Sequence, residues 1–130
     1  MSLVRRLAAF VALLPVALAA PAADPNPAQD PDAGSYVARD RRLAQDPFLR
    51  PYVEKMKKLT DAPSLEKIRR TPEKDLALLH FGYGMHLRNL WLWGERDPAL
   101  VQFFRSKGVD HPDGMSMVLI RALWQDLNRE

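Results

Sequence analysis

The sequence predicts an all-α protein, a small helical bundle around a central apolar helix at about residues 72–93. Two observations carry this prediction. Apolar residues recur at spacings of three and four along most of the chain after residue 35. Strand-like alternation of apolar and polar residues does not persist over a useful length. With 130 residues, of which 47% are hydrophobic and 27% charged, the chain is expected to form one globular domain.

The central helix is the most strongly patterned element. Thr71, Pro72 and Glu73 supply a cap, a proline at the first helical position and an early acid. One apolar stripe follows at Leu76, Leu79, Tyr83, Leu87 and Leu90, and a second set occupies the opposite side at Leu78, Phe81, Met85 and Leu92. A helix that is apolar on nearly every side belongs in the interior of a domain, so we expect its neighbours to enclose it.

Shorter helices are predicted before this element. Tyr36, Val37 and Leu43 indicate a first one, and Asp46-Pro47 opens a second. The apolar residues of that second helix line one side of it, at Tyr52, Val53, Met56 and Leu59. Ser64 begins a third, in which Leu65 and Ile68 point inward.

Two more helices are predicted after it. Asp97-Pro98 starts the first, whose inward residues are Leu100, Phe103 and Phe104 and whose stop is Gly108. The last helix follows a short link ending at Asp113. Its inward residues are Met115, Val118, Leu119, Ala122 and Leu123.

The N-terminus has the pattern of a secretory signal peptide. Arg5 and Arg6 precede the apolar run Leu7–Leu18, and Ala17-Leu18-Ala19 fits the small-x-small cleavage rule. The run is shorter than the roughly 20 residues of a membrane span, which disfavours a retained anchor. We therefore predict a signal peptide at 1–19, with cleavage as late as 23 as an alternative. A flexible Pro/Ala/Asp linker at 20–34 and a helical domain at 35–130 then follow in an exported protein, periplasmic or secreted.

Charge and cysteine content exclude several function classes. The net charge is +3, but Arg5 and Arg6 account for two of the 19 basic residues, which leaves 17 basic against 16 acidic groups, or +1. That balance lacks the excess of positive charge that is typical of nucleic-acid-binding domains. The absence of cysteine excludes disulfides and thiolate chemistry. Residues 50–74 carry eight basic and four acidic residues. A solvated helix face explains such a run, and the alternative is a site for an acidic partner or an anionic membrane surface.

The central helix also carries polar residues that need partners. A transmembrane reading of this helix is disfavoured, because an arginine near the centre of a span costs about 2.5 kcal/mol or more. A buried Arg88 instead requires a carboxylate or carbonyl partner. Asp113 and Asp110 are the first candidates for that partner, before Glu95 and Asp97. The predicted polar network either locks the last helix onto the central one or lines a cleft for a polar or anionic ligand; it comprises Arg88, Asn89, His111, Asp113 and Ser116.

Catalytic and metal sites are not predicted. His80 and His86 are six residues apart, which places them about 120° apart on a helix rather than on one face. Ser116, His111 and Asp113 have the residue types of a hydrolytic triad, but five residues of one turn cannot easily aim them at one another. The sequence also lacks a glycine-rich phosphate loop, since Gly82 and Gly84 lie within a helical pattern. We predict no catalytic residues, no metal and no cofactor.

The arrangement Arg88-Asn89 with Trp91 and Trp93, then His-Pro-Asp-Gly-Met-Ser at His111–Ser116, then Leu127-Asn128 resembles a family of small bacterial domains of unknown function. The resemblance covers roughly residues 63–128. Two departures concern the tryptophans, which lie one residue closer than is usual there, and Gly114, which replaces an acid. The resemblance implies a fold type and a shared polar signature and no activity.

Two function classes remain. The first is a non-catalytic binding or interaction module of the cell envelope, whose partner is a protein or another envelope component. Trp91 and Trp93 are its candidate interaction aromatics, although they cannot both face the same way. The second is a small enzyme or ligand-binding domain with a polar cleft around Arg88, His111 and Asp113. A sealed Arg88 guanidinium favours the first class and an open pocket the second.

Overall fold

The computed structural model describes residues 36–129. Within them lie α1 (Tyr36–Leu43), α2 (Arg50–Leu59), α3 (Ala62–Arg70), a long irregular segment that includes the single turn α4 (Met85–Leu87), α5 (Pro98–Ser106) and α6 (Pro112–Leu127). This part of the chain contains no strand, which confirms the all-α prediction. The predicted signal peptide at 1–19 and the linker at 20–34 lie outside the described residues.

Contacts between backbone positions divide the chain into two units, Met1–Ala38 and Arg39–Glu130. Of the first unit only Tyr36, Val37 and Ala38 are described, and they form the first turn of α1. The second unit holds the remaining helices. None of the helices within residues 36–129 combines the length and the apolar composition needed to cross a bilayer.

Two helix starts follow the predicted pattern of an acidic cap before a proline. The Asp46 carboxylate accepts a hydrogen bond from the Phe48 amide at 2.9 Å, at the start of the 3₁₀ turn Pro47–Leu49 that leads into α2. The Asp97 carboxylate accepts one from the Leu100 amide at 3.1 Å, at the start of α5. Each carboxylate satisfies an amide that has no partner within its own helix.

The segment predicted as one regular central helix is helical but changes its pitch repeatedly. It runs as a 3₁₀ helix Glu73–Leu79, a π turn His80–Gly84, the α turn Met85–Leu87, a second π turn Arg88–Leu92 and a 3₁₀ turn Trp93–Glu95. We call residues 73–95 the irregular helix. Gly94, with φ +67°, reverses the chain near its end.

The prediction that this helix is enclosed on nearly every side is wrong. Leu76, Leu87 and Leu92 are buried, whereas Leu78 and Phe81 on the other side are each 78% exposed. The buried side packs against α6. The sequence shows which positions around the helix are apolar, but it does not show that the neighbouring helices cover only one side of it.

The enclosed helix is α6. It contacts α2, α3 and the irregular helix, and every residue of its predicted inward set is buried, as are Ser116, Ile120 and Arg121. Its C-terminal half is fastened by polar contacts. The Trp124 indole donates to the Thr71 carbonyl at 2.7 Å, and the Lys57 ammonium lies 2.7 Å from an Asp126 carboxylate oxygen.

Candidate functional site

The Arg88 guanidinium lies between the irregular helix and the start of α6, and its side chain is only 5% exposed. Nη1 donates to the Ser116 hydroxyl at 3.0 Å, and Nη2 donates to the His80 carbonyl at 3.1 Å. Nε lies 3.4 Å from Oδ1 of Asp113. The buried charge therefore has the carboxylate and carbonyl partners that burial demands.

Gly84 makes room for this guanidinium. It lies one turn before Arg88, at the end of the first π turn, and a Cβ at this position would be 3.0 Å from Arg88 Nη1. Arg88 Nη1 also lies 3.3 Å from Nδ1 of His80, a residue of the same π turn. Arg88 thus begins the second π turn and contacts the first, and π turns inside helices are frequent at functional sites.

The N-terminus of α6 completes the network. His111 caps the helix, and its Nδ1 accepts a hydrogen bond from the Asp113 amide at 3.0 Å. The Ser116 hydroxyl donates to the Asp113 carbonyl at 2.9 Å while it accepts from Arg88. Because the serine proton is held on a carbonyl and His111 Nδ1 is held by an amide, this geometry does not form a nucleophile–base pair.

The structure brings together four of the five residues predicted for the polar network. Arg88, Asp113 and Ser116 are in direct contact, and His111 lies at the exposed edge beside Asp113. Asn89 is exposed and is not part of this set of contacts.

The two candidate interaction aromatics differ. Trp91 is buried with its ring edge-on to Tyr52, their centroids 5.3 Å apart, so it is not available on the surface. Trp93 is 44% exposed and lies edge-on to His111 at 5.9 Å. Of the two predicted surface aromatics, therefore, only Trp93 is exposed. Trp91 packs against Tyr52 of α2, which accounts for its burial.

Sequence reasoning missed a second buried charge. Arg121 of α6 is buried and pairs with the Glu73 carboxylate, which also accepts from Arg41 Nε at 2.9 Å. The hydrogen bond from Arg41, together with the charges of Arg121 and Arg41, holds the pKa of Glu73 below its ordinary value despite partial burial. The signal was present in the sequence, because Arg121 is a lone cation within an otherwise apolar run.

A further feature, on the outer side of the irregular helix, is apolar. Leu78, Phe81 and Met85 share this side and are 78%, 78% and 46% exposed. We call these three residues the apolar face. Exposed apolar side chains are ordinary when scattered singly, whereas large contiguous apolar patches are typical of interaction surfaces. Three large apolar side chains on one side of one helix make this side a candidate surface.

An open groove of about 400 Å³ runs beside the apolar face, between α3 and the irregular helix. Its lining consists of Ser64, Lys67, Ile68, Leu78, Leu79, Gly82, Tyr83 and His86. The floor is open at Gly82, where an added Cβ would meet no atom within 4 Å. At the inner end, the Tyr83 hydroxyl lies 3.0 Å from the Thr60 hydroxyl, and burial raises the pKa of Tyr83.

Comparison with known families gives a match over most of the described residues. The sequence profile of a family described as a domain of unknown function, DUF6794, matches residues 49–127. This match covers α2 to the end of α6 and begins 14 residues earlier than the resemblance noted from residue 63. Neither the curated proteins nor the solved structures gave a match.

Proposed function

We propose that this chain, which belongs to the DUF6794 family, is an exported, non-catalytic interaction module of the bacterial cell envelope. The observation that carries the proposal is the apolar face. Leu78, Phe81 and Met85 are large apolar side chains that point away from the core on one side of one helix. Burial of these side chains against a partner would remove apolar surface from water and so contribute favourable free energy to binding.

The geometry of the polar network favours this function over the alternative of a small enzyme or ligand-binding domain. A ligand site needs charged groups that a ligand can reach, yet the Arg88 side chain is 5% exposed and its donors are already engaged. Only Asp113 and His111, at the edge of the network, are accessible. The network is therefore best explained as the lock between the irregular helix and α6.

Export is part of the proposal and is supported by the N-terminal sequence. Arg5 and Arg6 precede the apolar run Leu7–Leu18, and small residues follow it. Residues 20–34 hold four prolines and three aspartates, a composition suited to a spacer between the site of export and the helical domain. The motifs Arg88-Asn89 and His111–Ser116 are proposed as the polar signature that family members share.

Cell fractionation tests this function. The full chain is expressed in a bacterial host, and its distribution between the sedimented envelope and the soluble fraction is measured, with mass spectrometry to establish the N-terminus. The wild type is expected in the envelope fraction. The double variant L78S/F81S is expected in the soluble fraction while keeping the thermal stability of the wild type.

Leu59→Ser is the matched control. Leu59 is 60% exposed at the end of α2 and is not part of the groove lining, so its replacement removes a comparable exposed leucine from another position. The control is expected to stay with the envelope. A double variant that sediments as the wild type does, or a soluble wild type, would overturn the proposal. Arg88→Ala that folded normally but lost envelope binding would favour the alternative function.

A further inference from the structure

We infer that the envelope component bound by the apolar face is an anionic lipid surface. This inference rests on the proposed function and names the chemistry of the partner. It is carried by two features of the described residues, the protruding shape of the apolar face and the cations beside it.

The shape of the face suits a fluid interface better than a partner helix. A helix that docks in a groove needs apolar walls on both sides. Here one wall is apolar, at Leu78, but the α3 wall offers Ser64 and Lys67, and the Ile68 side chain below them is 3% exposed. Leu78 and Phe81 are instead each 78% exposed, although the Phe81 ring lies edge-on to the His80 ring at 4.9 Å. Protruding apolar tips of this kind enter the boundary between lipid headgroups and acyl chains.

The charges beside the face have the matching sign. Lys67 lines the groove, and Arg70 lies one turn further along α3. Both side chains are exposed, and neither forms an ion pair within residues 36–129. The one acid of this helix, Glu66, is bonded to Arg69, and that hydrogen bond lowers the Glu66 pKa, with smaller contributions from the charges of Arg69 and Arg70. One acid thus faces three cations on α3, at Lys67, Arg69 and Arg70. The α3 side of the groove therefore presents a surplus of positive charge.

The next cation contributes less. Lys74 lies at the start of the irregular helix, one turn before Leu78, and its side chain is 82% exposed. An Asp75 oxygen lies 3.6 Å from its ammonium and offsets part of its charge. Lys67 and Arg70 are thus the principal cations, and their long apolar stems allow the charged ends to reach phosphate groups while the stems rest on apolar surface.

The apolar contact and the charge attraction would each give weak binding alone, and they add when both are present. Neutral lipid would offer the apolar contact alone, whereas an anionic leaflet adds attraction for each nearby cation. The chain would lie on the bilayer rather than cross it, since no described helix could span one. We therefore expect reversible binding that needs anionic lipid and weakens with salt.

Vesicle sedimentation tests the inference. The full chain is mixed with vesicles of phosphatidylglycerol and phosphatidylcholine, or of phosphatidylcholine alone, and the partition coefficient is measured at low and high salt. Binding is expected only to the anionic vesicles. Phe81→Ser should weaken it by about tenfold or more, from the loss of one buried aromatic side chain, whereas Phe81→Trp should retain it.

The charge is tested with a matched pair. Lys67→Glu should weaken binding by about fivefold or more, the effect of one cation near an anionic surface. Lys55→Glu makes the same change in net charge on α2, where the Lys55 ammonium lies over the Tyr52 ring, and should leave binding nearly unchanged. All variants have the same N-terminal segment before Tyr36, so any lipid affinity of that segment is common to them and cancels in the ratios.

The outcomes separate this inference from the proposed function. Equal binding to both kinds of vesicle, or equal loss in the Lys67 and Lys55 variants, overturns the assignment of an anionic surface. If L78S/F81S leaves the envelope in cells but the wild type binds no vesicle, the module stands and its partner is a protein. If the double variant also stays in the envelope, both proposals fail.

Discussion

Two glycines in the first π turn offer the sharpest test of how the polar network locks the fold. Gly82 and Gly84 are two residues apart in the same turn, and neither has the positive φ that would by itself disfavour alanine. An alanine Cβ at Gly82 would meet nothing within 4 Å, whereas at Gly84 it would lie 3.0 Å from Arg88 Nη1. The same substitution should therefore have opposite effects on stability at the two positions.

The magnitude follows from two terms. Replacing glycine by alanine within a helix stabilises a protein by about 0.5–1 kcal/mol, and Gly82→Ala should show this gain. At Gly84 the Arg88 guanidinium must move, and the 3.0 Å bond from Nη1 to the Ser116 hydroxyl lengthens or breaks. A lost hydrogen bond to a charged group costs about 1.5–3 kcal/mol, so Gly84→Ala should be destabilising by about 0.5–2.5 kcal/mol.

Urea unfolding followed by circular dichroism measures both free energies of unfolding. Repeating Gly84→Ala in an Arg88→Met background removes the atom that the new Cβ would meet, so the alanine should become stabilising there, as it is at Gly82. If Gly84→Ala proves as stable as Gly82→Ala in the otherwise unaltered chain, the guanidinium is free to shift. The network would then not be the lock that we propose.

Three further outcomes are expected. Glu73→Gln should destabilise by about 1–3 kcal/mol because it leaves Arg121 without its carboxylate. The pKa of Glu73 is lowered in the folded state, so its contribution is complete above the ordinary value of 4.5 and is lost as the pH falls through the lowered value; the gap between wild type and variant in urea unfolding should close on acidification. Trp124→Phe removes the bond to the Thr71 carbonyl and should cost about 1 kcal/mol in the same assay. Mass spectrometry of the chain from expressing cells should show cleavage after Ala19, and an intact N-terminus would contradict the signal peptide.

Local rules explain the parts of the fold that the sequence predicted well. Asp46 and Asp97 before prolines identified helix starts because a cap and a fixed proline φ act within a few residues. The inward set of α6 was also predicted, since apolar spacing on a helix reports which side faces the core. These features need no knowledge of what lies elsewhere in the chain.

The predictions that were wrong concern which neighbours each helix packs against. The irregular helix was predicted to be enclosed because both of its sides are apolar, but its neighbours cover the Leu76 side and leave Phe81 exposed. Trp91 and Trp93 could not be assigned from spacing, because the π turns alter the angle between successive residues. Arg121 was overlooked although it is a lone cation in an apolar run, the same signal that had drawn attention to Arg88.

The two sides of the irregular helix pose different physical problems. On the inner side, Leu76 and Leu87 are buried and Arg88 is bonded, so the requirements of folding account for these residues. On the outer side, Leu78 and Phe81 contribute little packing, and polar residues there would leave the inner contacts intact. Exposed apolar side chains lower solubility and favour self-association. Stability therefore does not explain the apolar face, whereas the proposed binding to a surface that buries it would.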